Sequence, residues 1–233
     1  IFTILFALGI LLFIFIFFGL DESAQIDRTA TLSVKGVLGE YGIILRNKEF
    51  MRYTLGFAVA MSALFAYITG SSFIFLGYYG LGEHAFGVIF GINALGMTLV
   101  SALNAKLVQN REPAALLNFG LIAMLATSLI LLACSMLDFP FICFEASLFV
   151  LLSSLGFVAP NATTLAMALY KDGNSGAASA VLGTAQFAIA GAISFIVGAV
   201  GANKPFLLAS VMVICALCAN AVYFLLRKKN QKF

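Results

Sequence analysis

The sequence predicts an all-α membrane protein, and three observations support that prediction. Hydrophobic residues make up 62% of the chain, charged residues make up 10%, and the mean hydropathy is +1.07. A soluble domain has about 25% charged residues, so this chain lacks the polar surface that a water-soluble globule needs. The apolar residues also fall into long segments, each able to cross a hydrocarbon core about 30 Å thick as a helix.

Seven apolar segments follow one another along the chain. The first covers residues 1–20 and contains no charged residue. The other six are predicted at about 50–76, 84–107, 114–135, 140–168, 175–201 and 204–227, each long enough to span the membrane. Short connections predict that sequence neighbours are antiparallel neighbours in one six-helix bundle, residues 50–233. Because Ile1 already lies inside an apolar segment, we expect the chain to be a fragment that begins within a helix.

The segment between the first and second spans, residues 21–49, is more polar than its neighbours. Apolar residues recur in it at spacings of three and four, from Val34 through Leu38 and Tyr41 to Leu45, and the charged residues fall off that face. This pattern predicts an amphipathic helix on the membrane surface. A solvated connector without such a helix is the alternative.

Lysine and arginine residues are distributed unevenly between the two ends of the predicted spans. Alternate loops contain 5, 2, 1 and 4 of them on one side, which leaves a single one of the 13 on the other. Because basic loops face the cytoplasm, the C-terminus, residues 21–52 and the loops at 106–111 and 171–175 are predicted to be cytoplasmic. The net charge of +3 arises from these clusters and does not indicate a nucleic-acid partner.

Residues that support catalysis or metal binding are sparse. His84 is the single histidine, and the four cysteines, at 134, 143, 215 and 218, lie in or beside apolar segments. A metal site, or a nucleophile with its base, needs a cluster of such groups. We therefore predict no metal, no cofactor and no enzymatic activity, and nothing in the sequence indicates the filter of a channel. A carrier fits better, because packed helices with scattered polar groups line the central cavity of transporters.

Three amide side chains inside the predicted spans, Asn93, Asn161 and Gln186, are candidates for lining a substrate cavity. A polar group is costly inside a bilayer unless it meets a partner or water. Hydrogen bonding between helices is the alternative role of each. Pro160 precedes Asn161 and removes a backbone donor, which predicts a kink and a free carbonyl at Gly156.

The remaining candidates are three apolar residues and one carboxyl group. Met61, Phe65 and Tyr67 lie along the span at 50–76 and predict an adaptable apolar wall of the cavity, with lipid contact as the alternative. Glu145 is the only carboxyl group inside any predicted span, five residues into the span that begins at 140. We predict an outer gate or a cation contact there, and the alternative is that the side chain reaches the membrane surface.

Small residues predict close helix packing at two places. One span carries them at every fourth position: Gly176, Ala180, Thr184, Ala188 and Ala192. Another span carries Gly87 and Gly91 at GxxxG spacing. In lipid, small side chains let helix backbones approach closely. We therefore predict that the first of these helices is packed on several sides and that the glycine pair forms a close contact.

Four blocks of the sequence resemble one branch of a known transporter family. They are LRNKEFMRYTLGFAVAMSALFAYITGSSFIF at 45–75, FGVIFGINALG at 86–96, GFVAPNATTLAMAL at 156–169 and SGAASAVLGTAQFAIAGAIS at 175–194. In order and separation they are similar to the C-terminal half of the Bcr/CflA (bicyclomycin/chloramphenicol resistance) branch of the major facilitator superfamily. The resemblance covers nearly the whole chain, and the PNAT block with the SAxxLGxxQF block is its most specific part.

This resemblance implies a twelve-helix, proton-driven multidrug antiporter of the bacterial inner membrane. Residues 1–20 would be its sixth helix, residues 21–49 the cytoplasmic connector between halves, and residues 50–233 helices seven to twelve. The proton-linked acid of such antiporters lies in the first half, outside this chain, so protons and a small drug-like molecule are the implied partners. The alternatives are a carrier of the same superfamily for a metabolite, such as a sugar or an amino acid, and a non-transporting membrane scaffold or receptor.

Overall fold

The structure is a computed structural model that describes residues 2–19, 33–170, 174–201 and 204–226. The chain divides into two compact units, Ile1–Gly36 and Val37–Phe233. The first unit contains helix α1 (Phe2–Gly19), which is apolar throughout. Helix α2 (Val34–Arg46) begins at the end of the first unit and continues into the second. This helix forms where the amphipathic pattern predicts one.

Six long helices make up the rest of the second unit: α3 (Lys48–Ser72), α4 (Glu83–Leu107), α5 (Pro113–Met136), α6 (Phe141–Met167), α7 (Ser175–Val200) and α8 (Pro205–Leu225). A π-helical segment, Phe73–Tyr78, extends α3, and a 3-10 turn, Ala168–Tyr170, extends α6. With α1, seven described helices are long and apolar enough to cross a membrane. The predicted all-α membrane fold is therefore confirmed.

Local signals explain where several helices begin. The side chain of Asn47 accepts hydrogen bonds from the backbone amides of Glu49 and Phe50, at 3.1 and 3.2 Å, and so caps α3. Pro113 and Pro205 occupy the first positions of α5 and α8, where a missing backbone donor costs nothing. These signals are local in sequence, which is why the predicted spans agree with the observed helices to within a few residues.

Helices α3 and α6 form the centre of the second unit. Helix α3 contacts α6, α7 and α8, whereas α6 contacts α3, α4 and α5, and α5 also packs on α8. Burial is lowest in α4 and α7: in the most apolar 18-residue stretch of each, 11% and 22% of residues are buried, against 56% in the span that contains α6. Helices α4 and α7 therefore each present a wide exposed face.

A close approach of two helix backbones joins α4 to α6 at a glycine. A Cβ atom built on Gly156 of α6 would lie 2.7 Å from the carbonyl oxygen of Met97 and 2.8 Å from the backbone nitrogen of Ser101, both on α4. At Gly96 of α4 the space of a Cβ atom is taken instead by the side chains of Phe149 and Ser153 of α6. Gly156 therefore holds the two helix backbones at a separation that a residue with a Cβ atom does not permit, and Gly96 makes room for two side chains of α6.

The close contact predicted at Gly87 and Gly91 is wrong for the part of the chain that the structure describes. A Cβ atom built on either glycine would meet nothing within 4 Å. Both glycines lie on the exposed side of α4, whereas Gly96 lies on the side that meets α6. GxxxG spacing marks a face that permits close approach but does not select the partner.

Helix α7 also differs from its prediction. Its buried residues, Ala178, Val181, Leu182, Ala190 and Val197, lie on one face, and the helix packs mainly on α3. The five small residues at every fourth position are all exposed. Among the described residues, α7 is therefore packed on one side rather than on several, because the face that meets α3 is a different one and includes the fully buried Ala178 and Ala190.

Two contacts bring three helix ends together. The Asn47 side-chain amide donates to the hydroxyl of Tyr170 at 3.1 Å, which joins the start of α3 to the end of α6. Arg52 Nε donates to the carbonyl of Tyr223 at 2.7 Å, and its guanidinium lies 4.1 Å from that ring, which joins α3 to the end of α8. The start of α3 and the ends of α6 and α8, which adjoin segments predicted to be cytoplasmic, thus lie at one end of the bundle. Residues 20–32, 171–173 and 227–233, on which part of that prediction falls, lie outside the described residues.

Candidate functional site

A cavity with a volume of about 500 Å³ lies between α3, α4 and α6. Its lining is Met61, Met97, Thr98, Ser101, Ala102, Ala105, Leu155, Gly156, Ala159 and Pro160. Most of this surface is apolar, with two hydroxyl groups on α4. A lining of methionine, small apolar residues and few polar groups suits an apolar molecule of drug-like size. The structure thus brings two of the predicted site residues, Met61 and Pro160, to one cavity.

A smaller cavity of about 180 Å³ adjoins the first, since Met97 lines both. Its lining includes Tyr67 and Asn93, which were both predicted as cavity residues, together with Phe90. The ring of Phe90 stacks on that of Tyr67 with centroids 5.2 Å apart. Phe90 was not predicted, because nothing in the sequence shows that α4 turns it toward α3.

A polar cluster of three side chains lies at this smaller cavity. The side-chain nitrogen Nδ2 of Asn93 donates to the hydroxyl of Tyr67 at 3.2 Å and to Oε1 of Glu145 at 2.8 Å. The cluster therefore links α3, α4 and α6. Glu145 lies near the start of α6, but its carboxyl group points inward to Asn93. Asn93 lies ten residues after the first residue of α4, Glu83, and is therefore about 15 Å from the end of that helix. The alternative in which Glu145 reaches the membrane surface is wrong.

A pair of asparagines, Asn104 and Asn161, lies beside the larger cavity, next in sequence to its lining residues Ala105 and Pro160. Asn161 Nδ2 donates to Asn104 Oδ1 at 2.6 Å and to the carbonyl oxygen of Phe157 at 2.8 Å, and both asparagines are almost fully buried. Asn161 therefore serves as a hydrogen-bonding link between α4 and α6 and does not line either cavity. Asn104 was not predicted as a site residue, although its spacing of eleven residues from Asn93 equals about three helical turns and places both amides on one face.

Two predicted site residues lie away from both cavities. Phe65 packs edge-to-face against Phe187 of α7, with ring centroids 6.0 Å apart, while Tyr67 turns toward α4. Phe65 and Tyr67 therefore do not share one wall among the described residues, because residues two apart on a helix point in different directions. A cavity role for Phe65 stays a prediction. Gln186, on α7, is half-buried and makes no side-chain hydrogen bond to any described residue.

Helix α6 continues through Pro160 to Met167. Pro160 lines the larger cavity one turn after Gly156, whose contact with α4 closes the cavity wall. The free carbonyl predicted at Gly156 is not the acceptor of the Asn161 amide, which bonds Phe157 instead. A kink at Pro160 remains a prediction.

Aromatic rings surround the polar cluster on the side of the π-helical segment. Phe75 contacts Tyr67, Phe86 and Phe141 edge-to-face, with centroid distances between 5.6 and 6.3 Å. Tyr79, just beyond the span, packs on Phe141, and burial raises the pKa of its hydroxyl to about 12. Tyr79 is therefore uncharged at neutral pH and adds no charge to this group of aromatic rings.

The polar groups at the site suit the binding of a small molecule. Among the described residues, no group of three His, Cys, Asp or Glu side chains could hold a metal ion. The cavities offer hydroxyl, amide and thioether groups, together with one carboxyl group beside them. Such groups recognise a small molecule through shape and a few hydrogen bonds.

Comparison with known proteins agrees with this architecture. The family model of the Major Facilitator Superfamily matches residues 1–195. An uncharacterized MFS-type transporter of Bacillus subtilis, YdgK, is 26% identical over 231 residues, which cover 99% of this chain and 57% of that protein. A bicyclomycin resistance protein homolog of Haemophilus influenzae is 23% identical over 237 residues, which cover all of this chain and 58% of that protein. The chain thus spans little more than half the length of these relatives. Because the family model matches most of the chain, this multi-pass membrane protein is a member of the major facilitator superfamily of transporters.

Proposed function

We propose that the chain is the C-terminal half of a twelve-helix, proton-coupled exporter of small drug-like molecules in the bacterial inner membrane. In this proposal α1 is the sixth helix, residues 21–49 form the cytoplasmic connector, and α3 to α8 are helices seven to twelve. The observation that carries the proposal is the apolar cavity of about 500 Å³ between α3, α4 and α6. Its volume and lining suit a drug-sized molecule.

The exposed faces of α4 and α7 support a cavity completed by a second bundle. In lipid, a helix gains little by burying apolar surface, so a face of small residues favours close contact with another helix. The exposed face of α7 carries Ala180, Thr184 and Ala188, and that of α4 carries Gly87 and Gly91. We propose that both faces pack on the N-terminal half. The coverage of little more than half of each relative supports this arrangement.

The proposed mechanism is alternating access. The two bundles rock about the cavity and open it to one side of the membrane at a time, and proton binding shifts the balance between the two states. The C-terminus and the basic loops face the cytoplasm, because lysine and arginine concentrate there. An antibiotic-like substrate is supported by the relative that is named for bicyclomycin resistance.

Filling the cavity tests the proposal. Ala102 lines the cavity on α4, whereas Ala126 is exposed on α5 and lies outside both cavities. Each alanine is replaced by phenylalanine in the full-length protein, and drug tolerance and dye export are measured in a sensitive bacterial host. We expect Ala102→Phe to lose export and Ala126→Phe to retain it, with equal amounts of protein in the membrane. Equal export by the two variants would contradict the proposed substrate site.

Transport measurements on the full-length protein distinguish the alternatives. A full-length protein that changes no drug tolerance but takes up one sugar or amino acid would be a metabolite carrier. A reconstituted protein that moves no solute across a proton gradient would be a scaffold or receptor.

A further inference from the structure

The polar cluster of Tyr67, Asn93 and Glu145 contains two acceptor atoms without a hydrogen-bond partner. Oδ1 of Asn93 and Oε2 of Glu145 are both buried, and neither accepts a hydrogen bond from any described residue. The other atoms of these two groups are fully used, since Asn93 Nδ2 donates to both Tyr67 and Oε1 of Glu145. Buried acceptors are normally satisfied, so an unpaired one on each of two bonded partners calls for an explanation.

A single proton would satisfy both atoms. A protonated carboxyl group is a donor as well as an acceptor, and a primary amide carries one oxygen acceptor and two donors. A carboxylic acid and an amide can therefore pair through two hydrogen bonds that close a ring. One of these two bonds is present, from Asn93 Nδ2 to Glu145 Oε1 at 2.8 Å. The atoms that would form the second are Oε2 and Oδ1, the two that lack a partner.

We propose that Glu145 and Asn93 form a proton-binding site in this half of the transporter, occupied when Oε2 of Glu145 carries a proton that it donates to Oδ1 of Asn93. The Tyr67 hydroxyl accepts from the second N–H of the amide and thereby fixes the orientation of Asn93. Proton release breaks one hydrogen bond between α4 and α6 and leaves a negative charge beside the cavity that Tyr67 and Asn93 line. A role for this site in transport rests on the proposed function.

The surroundings of Glu145 contain no competing cation among the described residues. No ion pair to its carboxylate is present there, and Arg52, the one charged residue that is fully buried among those described, lies at the opposite end of the bundle beside Tyr223. The titratable groups nearest to it on the neighbouring elements are Tyr67 of α3, Cys134 of α5, which faces Ser147, and Tyr79, which packs on Phe144 and has the acidic Asp138 nearby. Between His84 and Lys106, α4 has no titratable residue. None of these groups supplies a positive charge to Glu145, so a proton is the partner that the geometry favours.

Infrared difference spectroscopy of the purified full-length protein during a pH titration tests this site. The unchanged protein is expected to show a protonated-carboxyl band that disappears as the pH rises. Glu145→Gln, which keeps the shape and both hydrogen bonds, is expected to lose that band. Glu112→Gln removes an exposed carboxyl group next to α5 and is expected to retain it. Asn93→Leu is expected to keep the band but to shift it to higher frequency, because the acid then lacks its acceptor.

Identical spectra for the unchanged protein and Glu145→Gln would overturn the proposal, as would a band that responds to sodium ions rather than to pH. Drug-driven proton release from proteoliposomes separates the site from the proposed function. A titrating Glu145 band in a protein that exports no drug would leave the site standing and refute the exporter. Drug export with proton release from a protein whose Glu145 band is absent at every pH would refute the site alone.

Discussion

Replacing Gly156 by alanine tests how the α4–α6 contact forms the cavity wall. The new Cβ would lie 2.7 Å from the carbonyl oxygen of Met97, whereas ordinary contact begins at 3.4 Å, so α4 must move away by about 0.7 Å. The opposing atoms belong to the backbone and cannot rotate aside. Overpacking of this kind costs about 1–3 kcal/mol, and the upper part of that range applies here. Alanine recovers about 0.5–1 kcal/mol of helix preference, which leaves a net loss of about 1–2 kcal/mol.

The matched control is the same substitution at Gly91, where a Cβ would meet nothing within 4 Å. Gly91→Ala is expected to stabilise the chain by about 0.5–1 kcal/mol, because only the helix preference changes. The free energy of unfolding is measured for both variants of this chain in detergent micelles by titration with a denaturing detergent. A Gly156→Ala variant as stable as Gly91→Ala would refute the conclusion that Gly156 sets the separation of α4 and α6.

Three further substitutions are tested by the same unfolding measurement. Glu145→Gln is expected to match or exceed the stability of the unchanged chain, whereas Glu145→Leu is expected to lose about 1–3 kcal/mol because it strands the amide of Asn93. Asn161→Leu is expected to lower the free energy of unfolding by about 1–3 kcal/mol, because the buried Oδ1 of Asn104 then lacks its donor. Adding Asn104→Leu is expected to restore part of that loss. Gln186→Leu is expected to change stability by less than about 0.5 kcal/mol, since its side chain bonds no described residue.

Each of these expectations has a contrary result. Equal losses for Glu145→Gln and Glu145→Leu would show that the amide pairing is unimportant. Strictly additive losses at residues 104 and 161 would show that the two asparagines do not interact. A large loss on replacing Gln186 would reveal a partner that the described residues do not include.

The positions of the spans follow from local properties of the sequence. The predicted span at 84–107 is observed as Glu83–Leu107, and that at 175–201 as Ser175–Val200. Hydrophobic length, proline at the first helical position and capping by Asn47 act within one helix and need no knowledge of its neighbours. The π-helical segment Phe73–Tyr78 was not predicted, because the hydrophobic composition of a segment does not distinguish a π-helix from an α-helix.

Helix partners were harder to predict than helix positions. Gly87, Gly91, Gly96 and Gly156 all lie in predicted spans, and the pair with the familiar spacing is the one that contacts nothing in the described bundle. Which face of α4 meets α6 depends on how all the side chains of the bundle pack together. Spacing within a single helix does not contain that information.

The candidate site was predicted one residue at a time. Met61, Tyr67, Asn93 and Pro160 do line the two cavities, and polarity inside an apolar span was a sound signal for Asn93. The link from Asn93 to Glu145 was not predictable, because Glu145 begins near a helix end and reaches inward only through its long side chain. To predict this hydrogen bond, one would need to know how α4 and α6 are each rotated about their axes in the bundle.

The central claim, that the face of α3, α4 and α6 lines a substrate cavity, is tested most directly by protection of an introduced cysteine. All native cysteines of the full-length protein, including the four of this chain, are replaced, and a single cysteine is placed at Ala102 in the cavity or at Asn110 in the exposed loop after α4. Labelling by a small water-soluble thiol reagent is then timed with and without a transported drug. We expect the drug to slow labelling at position 102 and to leave position 110 unchanged. Equal labelling rates at position 102 with and without drug would contradict the claim.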